Sequence, residues 1–250
     1  KIQVKAINET EDNALLIGTH GFGVFKVDKE SLLSTNISTN VSININNFQI
    51  NSIEKTKRGS ILIGSNSGLL RYNSLSNTIN HAKFTTLTGS EFIETPIQTI
   101  LTKNDGSIWL GTVSDGLIEI LTTPTNYYEF KFHPITNKRI LALESDRNGA
   151  ILCGTENDGL FVLGNDKKLN SLKYNKSKLK GIKSNSIWSV FIDENDRIWI
   201  GYFNQGIDIY DKEKERFKSI ESIPNKDQSL YSKSVTAITQ DNQDRLWIGI

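Results

Sequence analysis

A short apolar strand pattern that ends in a glycine recurs six times along this chain of 250 residues. Successive copies of the glycine are 46, 47, 43, 47 and 48 residues apart. The glycines are Gly18, Gly64, Gly111, Gly154, Gly201 and Gly249. A period of this length indicates one structural unit copied in series. We therefore expect these glycines to be structural, at places where a Cβ would obstruct the backbone or a close neighbour.

Each copy shows the same order of strand and turn signals. In the third copy, Ile108–Thr112 is followed by a second apolar run, Gly116–Ile120, and is preceded by the turn Asn104–Gly106. Asn, Asp and Gly favour such turns because they tolerate positive φ. Another apolar strand precedes each turn. A fourth, more variable strand is predicted near Tyr127–Phe132, Leu172–Tyr174 and Phe217–Ile220.

Four short strands repeated every 40 to 50 residues predict an all-β fold, a β-propeller of four-stranded antiparallel blades. The mean glycine spacing of 46.2 residues gives about five and a half blades in this chain. The predicted blades are 1–47, 48–94, 95–137, 138–184 and 185–232, with a partial blade at 233–250. Because a propeller closes on itself to hide its sheet edges, we expect a fragment of a larger propeller.

Composition excludes several classes of function. The formal net charge is only +1, and Lys and Arg are scattered, so no nucleic-acid partner is predicted. Cys153 is the only cysteine, which excludes an internal disulfide and a cysteine-based metal cluster. The three histidines lack metal-ligand spacing, and no nucleophile elbow or phosphate-binding loop is present. We predict no catalytic residue, no cofactor and no metal.

The run Asp193–Gly206, with its tryptophan before the glycine, recurs in Asp241–Gly249 and Asn104–Gly116. It resembles the two-component regulator propeller repeat, a family found in the periplasmic sensor region of Bacteroidetes-type hybrid two-component system histidine kinases. Trp109, Trp199 and Trp247 occupy the repeat's tryptophan position and are predicted to be structural.

The resemblance implies that this fragment comes from a seven-bladed propeller. It also implies a periplasmic, ligand-sensing domain without catalysis of its own. The implied ligand is an oligosaccharide, and the implied output is control of glycan-utilisation genes through attached kinase and DNA-binding domains. The implied partners are further propeller blades and an immunoglobulin-like domain of the same chain, with a homodimer in the full receptor.

Candidate ligand contacts lie in the loops between second and third strands and in the linkers that enter each blade. In a propeller these segments share one face. Aromatic rings cover the apolar C–H patches of a sugar, and amides, carboxylates and Arg engage its hydroxyls. The candidates are His20, Phe22, Arg139, Glu156, Asp158, Trp188, Tyr202, Phe203, Asn204, Gln205 and Tyr231.

Two other functions remain open from the sequence. One is a non-catalytic scaffold for protein interaction. The other is an enzyme similar to the streptogramin lyases, which would need a general-base histidine with metal-binding acids at the mouth of the channel. His20 and His133 are the only loop candidates for that base, and neither has an acidic constellation beside it in the sequence.

Overall fold

A computed structural model describes residues 2–39, 48–176, 181–220, 230 and 232–250 of the protein. The chain divides into two compact units, Lys1–Pro134 and Ile135–Ile250. Each unit is built from antiparallel sheets in which successive strands along the chain are neighbours. Within the described residues, no helix is long and apolar enough to cross a lipid bilayer.

The first unit contains three four-stranded sheets and one additional hairpin. The first sheet comprises β1 (Val4–Glu9), β2 (Ala14–Thr19), β3 (Val24–Asp28) and β4 (Ser34–Asn36), followed by a 3₁₀ turn at Ile37–Thr39. The second comprises β5 (Ile50–Lys55), β6 (Ile61–Ser65), β7 (Gly68–Asn73) and β8 (Thr78–His81). The hairpin consists of β9 (Phe84–Thr86) and β10 (Gly89–Glu91). The third sheet comprises β11 (Ile97–Thr102), β12 (Ile108–Thr112), β13 (Leu117–Thr122) and β14 (Tyr128–His133).

The second unit contains two four-stranded sheets and one two-stranded sheet. The strands are β15 (Ile140–Ser145), β16 (Ile151–Thr155), β17 (Leu160–Leu163) and β18 (Leu169–Leu172), then β19 (Ile187–Ile192), β20 (Ile198–Tyr202), β21 (Ile207–Asp211) and β22 (Arg216–Ile220). The last pair is β23 (Ala237–Gln240) and β24 (Leu246–Gly249). We call the five four-stranded sheets blades 1 to 5, in chain order, and the pair β23–β24 blade 6.

The predicted order of strands is confirmed, with two differences. The fourth strand of blade 4 lies at Leu169–Leu172, earlier than the predicted Leu172–Tyr174. The hairpin β9–β10 was not predicted, because its six strand residues include Thr85, Gly89 and Ser90 and carry no apolar alternation.

The recurring glycine lets successive blades approach each other closely. A Cβ on Gly154 would lie 2.7 Å from Cγ2 of Ile187, the first residue of β19. A Cβ on Gly201 would lie 2.8 Å from Cγ1 of Val235, which precedes β23. These separations are too short for real carbon atoms. The glycine period therefore reflects contact between blades rather than a turn.

Apolar side chains from neighbouring blades within each unit form shared cores. In the first unit, Leu16 of blade 1 packs in one cluster with Ile50 and Ile63 of blade 2. In the second unit, Leu152 of blade 4 packs in one cluster with Ile187 and Ile200 of blade 5. All six side chains in these two groups are at most 1% exposed. Burial between sheets is thus the main stabilising interaction of each unit.

The tryptophan of the repeat is anchored by the aspartate of the preceding turn. Oδ2 of Asp193 accepts a hydrogen bond from the indole Nε1 of Trp199 at 2.8 Å, and Asp241 accepts the same bond from Trp247 at 2.8 Å. Trp199 is 8% exposed, as expected for a structural residue, whereas Trp247 in blade 6 is 57% exposed. Trp109 is buried at 3% exposure.

Candidate functional site

One backbone hydrogen bond fixes the loop after the second strand in each of blades 1 to 5. The first residue of the loop donates its N–H to the carbonyl of the residue 17 positions earlier, just before the first strand. The pairs are His20 and Gln3 (3.0 Å), Asn66 and Gln49 (3.1 Å), Val113 and Pro96 (3.1 Å), Glu156 and Arg139 (2.9 Å), and Phe203 and Ser186 (3.3 Å). In each of these blades the loop is therefore held against the segment that enters the same blade.

A β-bulge lies in the first strand of each of these blades, at the same register. In blade 5, Ile187 pairs with Tyr202 and Ser189 pairs with Gly201, so Trp188 is the extra residue. Bulges bend a strand and re-aim a side chain. The equivalent extra residues are Lys5, Asn51, Gln98 and Leu141. This bulge position supplies one non-core side chain per blade, beside the fixed loop.

In blade 5 the bulge and the loop bring two aromatic rings together. The Trp188 and Phe203 rings stack with centroids 4.8 Å apart and an interplanar angle of 25°. Phe203 is 44% exposed, and Trp188 is partly buried. Because Trp188 covers one face of Phe203, the pair presents a rigid aromatic surface on which an apolar face of a ligand can stack.

Amide and hydroxyl groups surround this aromatic pair. Asn204 adopts a left-handed conformation with φ of 60°. Its N–H donates to Oγ of Ser234 at 3.2 Å, and the Ser234 hydroxyl donates to Oδ1 of Asn204 at 3.0 Å. Gly206 donates its N–H to the carbonyl of Lys233 at 2.7 Å. Asn204 and Gln205 are exposed, so polar groups suited to hydroxyl recognition lie in the same loop as the Phe203 ring.

The corresponding loop of blade 4 is charged instead of aromatic. Arg139 lies 3.7 Å from Glu156, and Lys173 lies 2.5 Å from Asp158. The Thr136 hydroxyl donates to Asp158 at 2.7 Å. Partial burial opposes ionisation of Asp158, but the hydrogen bonds from Lys173 and Thr136 outweigh it and hold the pKa of this carboxyl below its usual value. The candidates Arg139, Glu156 and Asp158 thus each take part in an ion pair within the protein.

The candidates of blade 1 lie in the first unit. His20 forms an isolated β-bridge with Gln49. Phe22 is 50% exposed, and its carbonyl accepts a hydrogen bond from the Asn36 side chain at 3.4 Å. Both candidates are therefore exposed on a loop of the first unit. The other candidates that the structure describes belong to the second unit.

Tyr202 was predicted to contact ligand, and its position in the structure corrects this. Its side chain is 0% exposed, because β20 continues one residue beyond Gly201 and turns Tyr202 into the core. The hydroxyl donates to Oδ2 of the buried Asp208 at 2.9 Å, and Ser219 donates to Oδ1 of Asp208 at 2.7 Å. Burial, with the adjacent Asp208 carboxylate, raises the pKa of Tyr202. The buried side chain of Tyr202 therefore stabilises the loop from the core.

Three further predictions concern residues outside this surface. Tyr231 lies outside the described residues. His133 lies in β14, where its Nε2 is 3.1 Å from the Glu119 carboxylate and its ring stacks on Trp109 with centroids 5.3 Å apart. Cys153 is fully buried, which raises the pKa of its thiol. Among the residues that the structure describes, no three His, Cys, Asp or Glu side chains are grouped to hold a metal ion.

Sequence reasoning missed Ser234 and the stacking of Trp188 on Phe203. The available signal was the constant spacing of 17 residues between the loop and the blade-entry segment. That spacing places Phe203 against Ser186 and hence close to Trp188. No period-two pattern reveals a bulge, because the extra residue shifts the alternation by one position.

The resemblance predicted from the repeat is confirmed by comparison with known proteins. The model of the "two component regulator propeller" family matches residues 181–204 and 232–250. Histidine kinase P4 of Formosa agariphila is 27% identical over an alignment of 168 residues, and the match covers 64% of this chain and 12% of the kinase. The chain therefore spans about an eighth of the length of this curated relative.

Solved structures confirm the propeller fold. The extracellular domain of BT4673 from B. thetaiotaomicron, described as a hybrid two component system, matches with a TM-score of 0.66 at 21% identity, over 98% of this chain and 38% of that one. Virginiamycin B lyase from Staphylococcus aureus matches with a TM-score of 0.67 at 11% identity, over 98% of this chain and 77% of the lyase. At these identities the likeness shows the fold: an all-β propeller with about six blades in this chain.

Proposed function

We propose that this chain, whose blades resemble the two component regulator propeller, is the ligand-sensing extracytoplasmic part of a hybrid two-component sensor. Its ligand would be an oligosaccharide, bound on the surface that Trp188 and Phe203 form. Binding would control genes for glycan use through kinase and DNA-binding domains of the same protein, with the propeller in the periplasm.

The stacked pair Trp188–Phe203 is the observation that carries the proposal. Phe203 is 44% exposed and stacks on Trp188, and a bulge and a hydrogen-bonded loop hold the two rings in place. The flanking Asn204, Gln205 and Ser234 supply donors and acceptors for hydroxyl groups. This combination of a flat apolar surface with polar groups at its margin suits a sugar ring.

The comparisons support the sensor part of the proposal. Both the curated kinase and the BT4673 domain are described as signalling proteins, and the BT4673 domain is extracellular. The likeness to a lyase, at 11% identity, shows the fold and carries no argument for catalysis here. A non-catalytic interaction scaffold is the function that remains if no sugar binds.

Calorimetric titration of the protein with a panel of oligosaccharides tests the proposal. We expect at least one glycan to bind, and Phe203→Ala to weaken that binding about tenfold, since loss of one stacking ring costs about 1 kcal/mol or more. Phe132→Ala is the matched control, because Phe132 is also exposed, at 68%, but lies on β14 in the other unit. Its affinity should equal that of the wild type.

Two results would overturn the proposal. If no glycan in the panel binds the wild-type protein, the oligosaccharide ligand is wrong and the scaffold function is favoured. If a glycan binds equally well to the wild type and to Phe203→Ala, the ligand class stands but the site is elsewhere. Circular dichroism on both variants checks that the blades remain folded.

A further inference from the structure

Blade 2 reverses the charges that blade 1 carries at equivalent positions. The turn between its first two strands reads Lys57–Arg58 where blade 1 reads Glu11–Asp12, counted back from the glycine of the second strand. The third strand carries a cation at the equivalent position in both blades. Lys26 pairs with Leu16 in blade 1, and Arg71 pairs with Leu62 in blade 2. Leu16 and Leu62 each lie two residues before the glycine of the second strand. Blade 2 therefore has cations at both positions where blade 1 has an ion pair.

In blade 1 the polar groups at these positions satisfy one another. Nζ of Lys26 lies 2.6 Å from Oδ2 of Asp12 and 6.0 Å from the centroid of the Tyr72 ring. The Thr10 hydroxyl donates to the carbonyl of Ala14 and accepts from its N–H, both at 3.1 Å. This arrangement has its own anion, the Asp12 carboxylate.

In blade 2 the same positions lack that anion. The guanidinium of Arg71 lies 5.4 Å from the centroid of the Phe84 ring, equivalent to the contact of Lys26 with Tyr72. Its Nε is buried and has no hydrogen-bond partner, and the hydroxyl of Thr56, the counterpart of Thr10, is also buried without a partner. Two buried donors without acceptors are costly.

These groups line a cavity of about 80 Å³ between blades 2 and 3. Lys57 and Arg58 lie on its blade-2 side, and its lining contains no Asp or Glu. The carboxylate of Glu11 reaches this turn at Gly59, outside the cavity lining, where it pairs with Lys55 at 3.6 Å. The other lining residues come from blades 2 and 3 and, in the case of Phe84, from the hairpin strand β9. They are Thr56, Ser60, Leu62, Arg71, Phe84, Gly106, Ile108, Thr122 and Tyr128.

We propose that this cavity binds a single tetrahedral oxyanion, either sulfate or phosphate, as a free ion or as an ester group of a larger molecule. Arg71 and Thr56 would donate to its oxygens, and Lys57 and Arg58 would balance its charge. Arg binds such groups better than Lys because its planar guanidinium offers several donors in fixed geometry. The apolar walls from Leu62, Phe84 and Ile108 strengthen the attraction by excluding water.

The cavity is large enough for the proposed ion. A cavity of about 80 Å³ has room for several water molecules and therefore for one sulfate or phosphate group. The comparison of charged residues between blades 1 and 2 indicates a negatively charged ligand, since the anion takes the place of the Asp12 carboxylate of blade 1. This site belongs to the first unit, and the proposal does not depend on the function proposed for the Trp188–Phe203 surface of the second unit.

Titration with sodium sulfate and sodium phosphate, at ionic strength held constant with chloride, tests this proposal. We expect the melting temperature to rise in a saturable manner, with binding heat in calorimetry. Arg71→Met should lower the affinity for the anion at least tenfold, because it removes a charge-assisted hydrogen bond. Lys26→Met is the matched control at the equivalent position of blade 1 and should leave the anion affinity unchanged.

A second variant keeps the test decisive if Arg71→Met does not fold. Arg58→Asp restores the carboxylate of blade 1 beside Arg71, and we expect it to fold and to lose anion binding. Glucose 6-sulfate and glucose 6-phosphate distinguish the sources: tighter binding than the inorganic ions indicates an ester group, and weaker binding indicates a free ion. The proposal is wrong if neither anion gives a saturable effect on the wild type, or if Arg58→Asp binds as the wild type does.

Discussion

The carboxylate of Asp193 is the acceptor on which the strand-turn-strand hairpin of blade 5 depends. Its Oδ1 accepts the backbone N–H groups of Asn195 and Arg197, both at 3.0 Å. Its Oδ2 accepts Nε of Arg197 at 2.7 Å and the indole N–H of Trp199 at 2.8 Å. Asp193 is 6% exposed, so water cannot easily replace it as an acceptor. We predict that Asp193→Asn strongly destabilises the second unit.

The magnitude follows from the number of donors that lose an acceptor. An asparagine keeps one oxygen for the two backbone N–H groups, but its NH₂ then faces the donors of Arg197 and Trp199. Arg197 is partly exposed and can turn to water, whereas the indole of Trp199, at 8% exposure, cannot. One buried donor without a partner costs about 1–3 kcal/mol, and loss of the charge adds to it. We expect a total of about 2–3 kcal/mol, or a fall of about 5–10 °C in melting temperature.

Urea unfolding followed by tryptophan fluorescence measures this loss, and Asp241→Asn is the matched control. Asp241 accepts the same set of bonds, but Trp247 is 57% exposed, so water can replace the lost acceptor and the loss should be clearly smaller. A double-mutant cycle with Trp199→Phe isolates the indole bond, and we expect a coupling of about 1–2 kcal/mol. Equal losses for Asp193→Asn and Asp241→Asn, or a coupling near zero, would refute the reasoning.

The same carboxylates make stability depend on pH. Burial opposes ionisation of Asp193, but the bonds from Trp199 and Arg197 outweigh it and lower its pKa. The indole bond from Trp247 is the main cause that lowers the pKa of Asp241 to about 2. A lowered native pKa stabilises the fold above the unfolded value of about 3.9, and this contribution is lost as the pH falls toward 2. We expect Asp193→Asn to show a shallower loss of stability over this range than the wild type.

Two further substitutions test the packing described above. Gly154→Ala should cost about 1–3 kcal/mol in urea unfolding, because its methyl would lie 2.7 Å from Cγ2 of Ile187. Ile187→Ala removes that atom, so the double variant should lose less stability than the sum of the two single variants. An unchanged midpoint for Gly154→Ala would show that the blades separate without cost. Tyr202→Phe should cost about 1–3 kcal/mol by leaving the buried Asp208 short of a donor, while its circular dichroism spectrum stays that of the wild type; a neutral midpoint would place the hydroxyl outside the network.

The architecture could be predicted because the repeat averages out local ambiguity. A single run such as Ile108–Thr112 is compatible with a buried strand or with part of a helix. Six copies at a nearly constant spacing indicate the repeated blade of a propeller. The hairpin β9–β10 was missed for the converse reason, since it occurs once and has no second copy to compare.

The candidate site could be predicted only in part. The spacing of the loops identified Trp188 and Phe203, but it did not show that their rings stack, since that contact depends on a bulge. Tyr202 was placed wrongly because the glycine before it suggested that the strand had ended. The strand continues, and the polar partner that makes a buried tyrosine acceptable, Asp208, lies on the next strand.

The side chain at the bulge of the first strand differs from blade to blade, while the backbone register stays the same. In blades 1 to 5 the position holds a cation, two amides, an aliphatic group and an aromatic group, namely Lys5, Asn51, Gln98, Leu141 and Trp188. The neighbouring Ile187 of blade 5 is fully buried, so this strand contributes to the core through a different residue. Substitutions can therefore accumulate at the bulge, one residue at a time, without a change in the register of the blade.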